Sequence, residues 1–454
     1  MSQTIAAIST AVAPGGIGIV RLSGDEARRV ADRVFAAANR QIVAQAAGYT
    51  ALYGHVKDGD RVVDEAVALV FAAPKSYTGE DVVELSCHGG PAVLRAVLRL
   101  VLQNGARMAE AGEFTRRAFL NGKMDLTRAE AVMDIIGARG EQAARAAVAA
   151  HEGALAKRLS AVKENLLNAA AWLGAWADFP EEDIPEVDAA ALLPRLQAAG
   201  DEIDRLINGF DRGRMVRRGV ETVIAGSPNV GKSTLMNRLC GFESSIVTQI
   251  PGTTRDVVSE EIQLGDVCLR LSDTAGIHET ADAVERIGVQ RAKDRLAAAE
   301  LIFAVIDASR PLAEEDRQLL AACHGRKAVA ILNKSDLPAR VTPDAITPYV
   351  PRVVVASAKE QTGLDDLTAH VTDLLALTDF DTAAGMLANE RQLACAKRVQ
   401  AALAECRRAL TDGLTLDAVS VSLDGALAAL MELTGERVTD AVADGVFHQF
   451  CVGK

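Results

Sequence analysis

Apolar and polar positions change their period several times along this chain. Up to about residue 120, short apolar runs alternate with turn signals. Gly15-Gly16 precedes the run Ile17 to Leu22, and Lys57-Asp58-Gly59-Asp60 separates two apolar runs as in a hairpin. Val82, Val83 and Leu85 form a strand closing on His88-Gly89-Gly90-Pro91, and Ala92 to Leu102 reads as a helix. This mixture predicts an α+β domain over residues 1–121.

From about Leu126 the texture is Ala-rich with helical spacing. Leu155, Leu159, Val162, Leu166, Ala170 and Leu173 form one stripe, and the acidic, proline-broken stretch Asp178 to Asp188 separates it from a helix ending near Gly213. Between Val220 and about Leu377, β-type runs (Thr222 to Ala225, Val267 to Leu271, Leu301 to Ile306, Ala328 to Leu332, Val353 to Ala356) alternate with helical stretches. Such alternation predicts a parallel sheet covered by helices on both faces. After Phe380 the helical texture returns, with Leu423, Leu427, Leu430 and Leu433 on one stripe. The expected fold is therefore multidomain, α+β and α/β. A helical domain (122–216 and 380–454) is split by an inserted α/β domain (217–379).

Composition narrows the function. At roughly 100 to 200 residues per domain, 454 residues exclude one small stapled domain. With 49 basic against 61 acidic side chains, a generally basic surface that grips any phosphate backbone is not expected. The seven cysteines are scattered, with no C-x-x-C pair, which speaks against structural zinc or a disulfide framework and for a reducing cytosol. Only 11 Phe, 4 Tyr and 2 Trp argue against aromatic platforms for single-stranded bases. No signal peptide or membrane span is predicted, because glycine, proline or charge interrupts every long apolar run.

The chemistry lies in the α/β segment. Gly226-Ser227-Pro228-Asn229-Val230-Gly231-Lys232-Ser233, followed by Thr234, matches G-x-x-x-x-G-K-[ST] between a predicted strand and a predicted helix. Glycines there turn backbone N–H groups around phosphates, Lys232 adds a point charge, and Ser233 can ligate magnesium. Asp273-Thr274-Ala275-Gly276 ends a later strand, where an Asp can hold magnesium through water and a Gly N–H can meet the γ-phosphate. Asn333-Lys334-Ser335-Asp336 and Ser357-Ala358-Lys359 end two more strands. A carboxylate at Asp336 can accept from both N1–H and the 2-amino group of guanine, donors that adenine lacks on that edge. Between the first two motifs, Thr254 of Gly252-Thr253-Thr254-Arg255-Asp256 can complete magnesium coordination while a γ-phosphate is present. Four motifs in this order predict a GTPase. The Gln that Ras-like proteins place after D-x-x-G is Ile277 here, so catalysis must recruit another group.

Thr248 to Asp256 (TQIPGTTRD), the blocks Ser76 to Pro91 and Gly112 to Ile136, the segment Asp282 to Val289 after DTAG, and the ending Cys451-Val452-Gly453-Lys454 closely resemble the tRNA-modification GTPase family MnmE, also called TrmE. The resemblance spans the whole chain, and its N-terminal blocks and C-terminal tetrapeptide are more specific than the GTPase motifs. It implies an N-terminal folate-binding and dimerisation domain, a helical domain and an inserted Ras-like P-loop G domain. It also implies a potassium ion held by Asn229, Thr248, Ile250 and Thr253, in a nucleotide loop that includes Gln249 and Pro251. Glu285 would orient the attacking water in place of the missing Gln. Read alone, Glu285 is one of several charges on a solvated helix start.

For the N-terminal domain the resemblance implies that Glu84 takes the pterin edge of a tetrahydrofolate derivative (5,10-methylene or 5-formyl), which presents the same N–H and amino pattern as guanine. Arg21 and Lys123 would contact the rest of the folate, with Lys454 close by. Cys451 is either a small apolar residue packed under the last helix or a thiol presented to the folate. Val452 stands where the family usually has isoleucine. The implied reaction adds an aminomethyl-type or carboxymethylaminomethyl group to carbon 5 of wobble uridine in tRNA. The active form would be a cytoplasmic homodimer working with the flavoprotein MnmG, which brings FAD, in a heterotetramer away from membranes. The alternative is a GTP-dependent ribosome-assembly or signalling switch without covalent chemistry. Arg214, Arg217 and Arg218 read as a solvated hinge, and His88 as a hydrogen-bonded turn residue.

Overall fold

The computed structural model describes residues 3–178, 189–242, 259–265, 267–272, 296–377, 380–437, 439–448 and 450–454. The chain divides into two compact units. One comprises Met1–Met133, Leu166–Ala189 and Ala401–Lys454, the other Asp134–Asn165 and Ala190–Gln400. Helical stretches thus contribute to both.

The first unit is built on a seven-stranded sheet of order β3-β4-β5-β6-β2-β1-β7. Its strands are β1 (Ile5–Ile8), β2 (Gly15–Ser23), β3 (Phe35–Ala37), β4 (Thr50–Asp58), β5 (Arg61–Phe71), β6 (Val82–Gly89) and β7 (Arg107–Met108). β4 and β5 form the predicted antiparallel hairpin, with Asp58 opposite Arg61. Helices α1 (Ala27–Val34) and α2 (Pro91–Gln103) cover one face over a core that includes Val20, Leu22, Val30, Leu85, Leu94 and Val97. Pro91 opens α2, where its missing N–H leaves no helical bond unmade.

The other face is covered only in part. Toward β1, Ile5, Ala7 and Ala109 pack with Phe114 of α3 (Glu113–Leu120). Toward β4 it stays open: Tyr53 lies opposite Val67, Val67 opposite Ser86, and Ser86 opposite Ile19. Tyr53 is 53% exposed and Ile17 70% exposed. Further along, α4 (Leu126–Gly137) supplies Leu126 and Ala129 to a cluster with Phe447 and Phe450 near the chain's end. Each fully buried side chain of this size contributes about 1.5–3 kcal/mol, so the cluster anchors the last residues firmly.

The second unit holds a six-stranded sheet of order β13-β12-β11-β8-β10-β9. Its strands are β8 (Val220–Ala225), β9 (Ser259–Leu264), β10 (Val267–Ser272), β11 (Leu301–Asp307), β12 (Ala328–Asn333) and β13 (Val353–Val355). Five strands are parallel, as the alternation predicts. β9 departs from it and pairs antiparallel with β10, because a turn at Gly265 (φ +57) folds the chain straight back.

The helix expected to end near Gly213 runs from Ala189 to Arg218. Gly213 lies inside it without left-handed backbone, and serves close approach instead: the Met386 sulfur lies 2.6 Å from where its Cβ would be. The solvated-hinge reading is corrected at Arg217 and Arg214, while Arg218 at the helix end is exposed as expected. Arg217 is 6% exposed, donates to the Ala388 carbonyl at 2.5 Å, and has its pKa pulled down to about 10 by burial. Arg214 pairs with Glu300 at 2.6 Å. Among the described residues no helix is long and apolar enough to cross a membrane.

Candidate functional site

In the second unit the strand order reverses at β8, and the carboxyl ends of β8, β11, β12 and β13 converge where open α/β sheets bind ligands. Residues 226–231 leave β8 as a tight loop. A Cβ on Gly226 would come within 2.4 Å of the Val305 carbonyl, and one on Gly231 within 2.3 Å of Asn333 Nδ2. Asn229 (φ +63) and Gly231 (φ +99) take left-handed backbone, the alternation that turns successive N–H groups into an anion-binding nest. Lys232 bends back onto its own loop and donates to the carbonyls of Gly226 (2.8 Å) and Ser227 (2.9 Å); burial lowers its pKa. Ser233 and Thr234 open the helix Lys232–Phe242 and are exposed.

The base end is tied to that loop. Buried Asn333 donates to the Val230 carbonyl at 2.8 Å and accepts from the Ala358 amide at 2.9 Å, so one side chain joins three motifs. The Ser335 amide donates to the Ala356 carbonyl, and the Ser357 hydroxyl donates to Asp336 at 2.7 Å. The Ser357 bond is the main cause of Asp336's lowered pKa, which keeps the exposed carboxylate charged for a pair of donors. Lys334, with φ +65, points its ammonium to Asp307 at 2.6 Å. Asp307 is 8% exposed and also accepts from the amide and hydroxyl of Ser309. Lys359 is exposed beside Glu360. Thr248, Gln249, Ile250, Pro251, Gly252, Thr253, Thr254, Asp273, Thr274, Ala275, Gly276 and Glu285 lie outside the described residues.

In the first unit, Arg21 of β2 and Glu84 of β6 are cross-strand partners, with Nε 2.8 Å from Oε1. Each side chain is 16% exposed, shielded yet reachable from solvent. The Arg21 guanidinium lies over the rings of Tyr77 (5.7 Å) and Phe114 (5.6 Å). It also approaches the Gly453 carbonyl at 3.5 Å, where Ser9 donates at 3.0 Å.

Gly453 is thus seated against β1 and β2, and the two residues before it run beside Ala111 and Gly112. Val452 bridges to Ala111, and Gly453 (φ +100) passes so close to Ile8 that a Cβ would lie 2.4 Å from its carbonyl. Cys451 is exposed, which removes the reading of a small residue packed under the last helix. Lys123 sits apart from the Arg21–Glu84 pair. Its ammonium donates to the Pro74 carbonyl at 3.0 Å, in a cleft of ≈ 620 Å³ also lined by Asp25, Gly79, Glu80, Asp81 and Asn121. His88 lies within β6, opposite Ile17, rather than in a turn, and its Nδ1 is 2.7 Å from Asp64, whose hydrogen bond raises its pKa.

Sequence reasoning missed Asp307, Tyr77, Phe114 and Gly453. Asp307 had a signal, an acidic residue ending an apolar strand beside Asn333. Tyr77 and Phe114 had none, since only the fold brings them under Arg21.

A parallel sheet that ends in this phosphate loop, in Asn333-Lys334-Ser335-Asp336 and in Ser357-Ala358-Lys359 defines a P-loop GTP hydrolase. Residues 4–123 match the family described as GTP-binding protein TrmE N-terminus, and residues 126–451 match MnmE helical domain. The chain is 42% identical over 461 residues to the tRNA modification GTPase MnmE of Geobacter sulfurreducens, covering 100% of both. It is 43% identical over 457 residues to the protein of the same name from Symbiobacterium thermophilum, covering 100% of this chain and 99% of that one. Among solved structures, the G domain of T. maritima FeoB aligns at 25% identity with a TM-score of 0.27, over 34% of this chain and 98% of that one. The chain belongs to the MnmE family.

Proposed function

We propose that this chain is a potassium-stimulated GTPase that, with a flavoprotein of the MnmG kind, installs an aminomethyl or carboxymethylaminomethyl group on carbon 5 of wobble uridine in tRNA. The observation that carries this reading is the Arg21–Glu84 pair set against the chain's own C-terminal residues, in a protein whose relatives over its full length are named tRNA modification GTPases.

At the G site, residues 229–234 hold the phosphates and Asp336 selects guanine. The glycine cradle fits a polyphosphate, because side chains at Gly226 or Gly231 would close it. Ser233 and Thr254 hold magnesium, and Asn229, Thr248, Ile250 and Thr253 hold potassium. Bound there, these cations would supply positive charge against that developing on the β and γ phosphates. Glu285 orients the water.

At the N-terminal site, Glu84 accepts from the pterin N–H and amino edge of a tetrahydrofolate derivative. Arg21, braced by Tyr77 and Phe114, faces the remainder, with Lys123 and Lys454 binding further out. The exposed Cys451 thiol serves as a nucleophile or acid/base group. The open sheet face beside this pair, with Tyr53, Val67 and Ile19 in one row, supports a homodimer through the N-terminal domains. We assign residues 1–121 to this domain, 122–216 and 380–454 to the helical domain, and 217–379 to the G domain. The net charge of −12 fits a cytoplasmic complex in which the partner holds much of the tRNA and supplies FAD.

Mass spectrometry of tRNA wobble uridines from cells lacking the protein tests the reading, and loss of the modified base is expected. Normal modification there would refute it. GTP turnover is expected to be much faster in potassium than in sodium, and Asn229→Lys to erase the difference.

A further inference from the structure

We propose that Asp316 is a positioning residue for GTP binding, acting through Ser227 on the phosphate loop. Asp316 belongs to the first turn of the helix Glu314–Ala322 and is 1% exposed. A carboxylate so deeply buried is costly unless its oxygens are engaged, and both are. Oδ2 accepts from the Ala313 amide at 3.0 Å and closes the helix start, with Arg310 at 3.5 Å. Oδ1 accepts from the Ser227 hydroxyl at 2.6 Å. Capping needs only one oxygen and no burial. The second bond reaches across 89 positions to the loop.

Ser227 stands where the chain leaves β8, and it is itself 8% exposed. Its carbonyl and that of Gly226 accept from Lys232, so the Ser227 hydroxyl ties down the segment on which the loop lysine rests. Asn333 ties the loop again at Val230. These two ties bracket the first part of the loop, whose amides at Asn229 and Val230 begin the phosphate-facing run of residues 229–234. Holding both ends removes the ordering cost that a free loop would incur on closing around a polyphosphate. An effect of this kind acts equally on bound GTP and on the transition state, so it appears in affinity and KM rather than in kcat.

The inference rests on the reading of residues 229–234 as the nucleotide site. The test is titration of the full-length chain with fluorescent mant-GDP in magnesium and potassium buffer, together with steady-state GTP hydrolysis and thermal unfolding. Ser227→Ala is expected to raise the mant-GDP Kd and the KM for GTP by about tenfold to a hundredfold, the scale of one hydrogen bond to a charged group, while kcat moves much less. Asp316→Asn keeps an acceptor for Ser227 but deprives the Ala313 amide of its carboxylate. It should lower Tm yet restore affinity to near the wild-type value. Asp316→Ala should lose both, and adding Ser227→Ala to it should weaken binding no further.

Wild-type affinity in Ser227→Ala overturns the proposal, as does an additive loss in the double variant. Should Asp316→Ala fail to fold, Ser227→Ala and Asp316→Asn still decide. If the wild-type chain does not bind mant-GDP, or Lys232→Ala binds it equally well, the nucleotide-site reading itself has failed.

Discussion

Asp336 and Glu84 are the two carboxylates that the proposed function offers to a planar N–H and amino edge, yet their surroundings differ. Asp336 is held by the neutral Ser357 hydroxyl and is exposed past a strand end, with Lys359 and Lys334 adding only a lesser favourable field. Glu84 sits within β6 with its charge already met by Arg21, and the pair is 16% exposed on each side. A ligand at Asp336 gains a full charge-assisted pair of hydrogen bonds. One at Glu84 must share the carboxylate with a guanidinium that is braced by two rings. Under the proposed function, the first arrangement would give stringent base selection. The second would give a weaker, adjustable grip, in which the ligand and Arg21 hold the same group.

The largest effect should come from Asp336→Asn, which replaces one acceptor oxygen with a donor. Discrimination between guanine and other purines, on the order of 10⁴ for a site built around such donors, should collapse, with xanthine nucleotides gaining. Competition of GTP and XTP for mant-GDP displacement measures it. Unchanged guanine preference would break the comparison. Next, Lys232→Ala should lower GTP turnover by about 10² to 10³, as for other single groups that stabilise transition-state charge, read from phosphate release.

At the other site, Glu84→Gln should weaken binding of 5-formyl-tetrahydrofolate by about tenfold to a hundredfold, measured by calorimetry. A loss as large as that at Asp336 would show that Arg21 does not share the carboxylate.

The smallest effect concerns the salt-bridge network under the N-terminal site. Burial works to raise the pKa of Glu113, but hydrogen bonds from Arg107, the Glu110 amide and Arg117 outweigh it and hold the value near about 2, against an ordinary 4.5. Because the folded pKa is depressed, this stabilisation is complete above the unfolded value and is lost as pH falls from 4.5 toward 2. The Tm difference between the wild type and Glu113→Gln should therefore be constant at neutral pH and shrink across that window.

The two sites also differ in how legible they are in the sequence. At the G site each motif is a short local segment at a strand end, so Asn333, Asp336 and Ser357 are recognisable from spacing and residue type alone. At the N-terminal site Arg21 and Glu84 are 63 positions apart, and Arg21 meets Gly453 over 432. Only the resemblance to a family groups them. The close approach at Gly213 and the buried Arg217 side chain escape local reading for a related reason: Met386 and Ala388, which they meet, are distant in sequence.

Local periodicity determined the strands, the helices, the order of the GTPase motifs and the hairpin at Asp58-Gly59-Asp60, since each depends on residues close in the chain. Tertiary structure decided which faces the helices cover and that β9 runs antiparallel. It also placed Phe114 and Tyr77 under Arg21, Asp316 beneath the phosphate loop, and Cys451 in solvent rather than in a core. Those outcomes depend on long-range packing, in which a side chain's neighbours come from elements tens or hundreds of positions away and leave no period in the sequence.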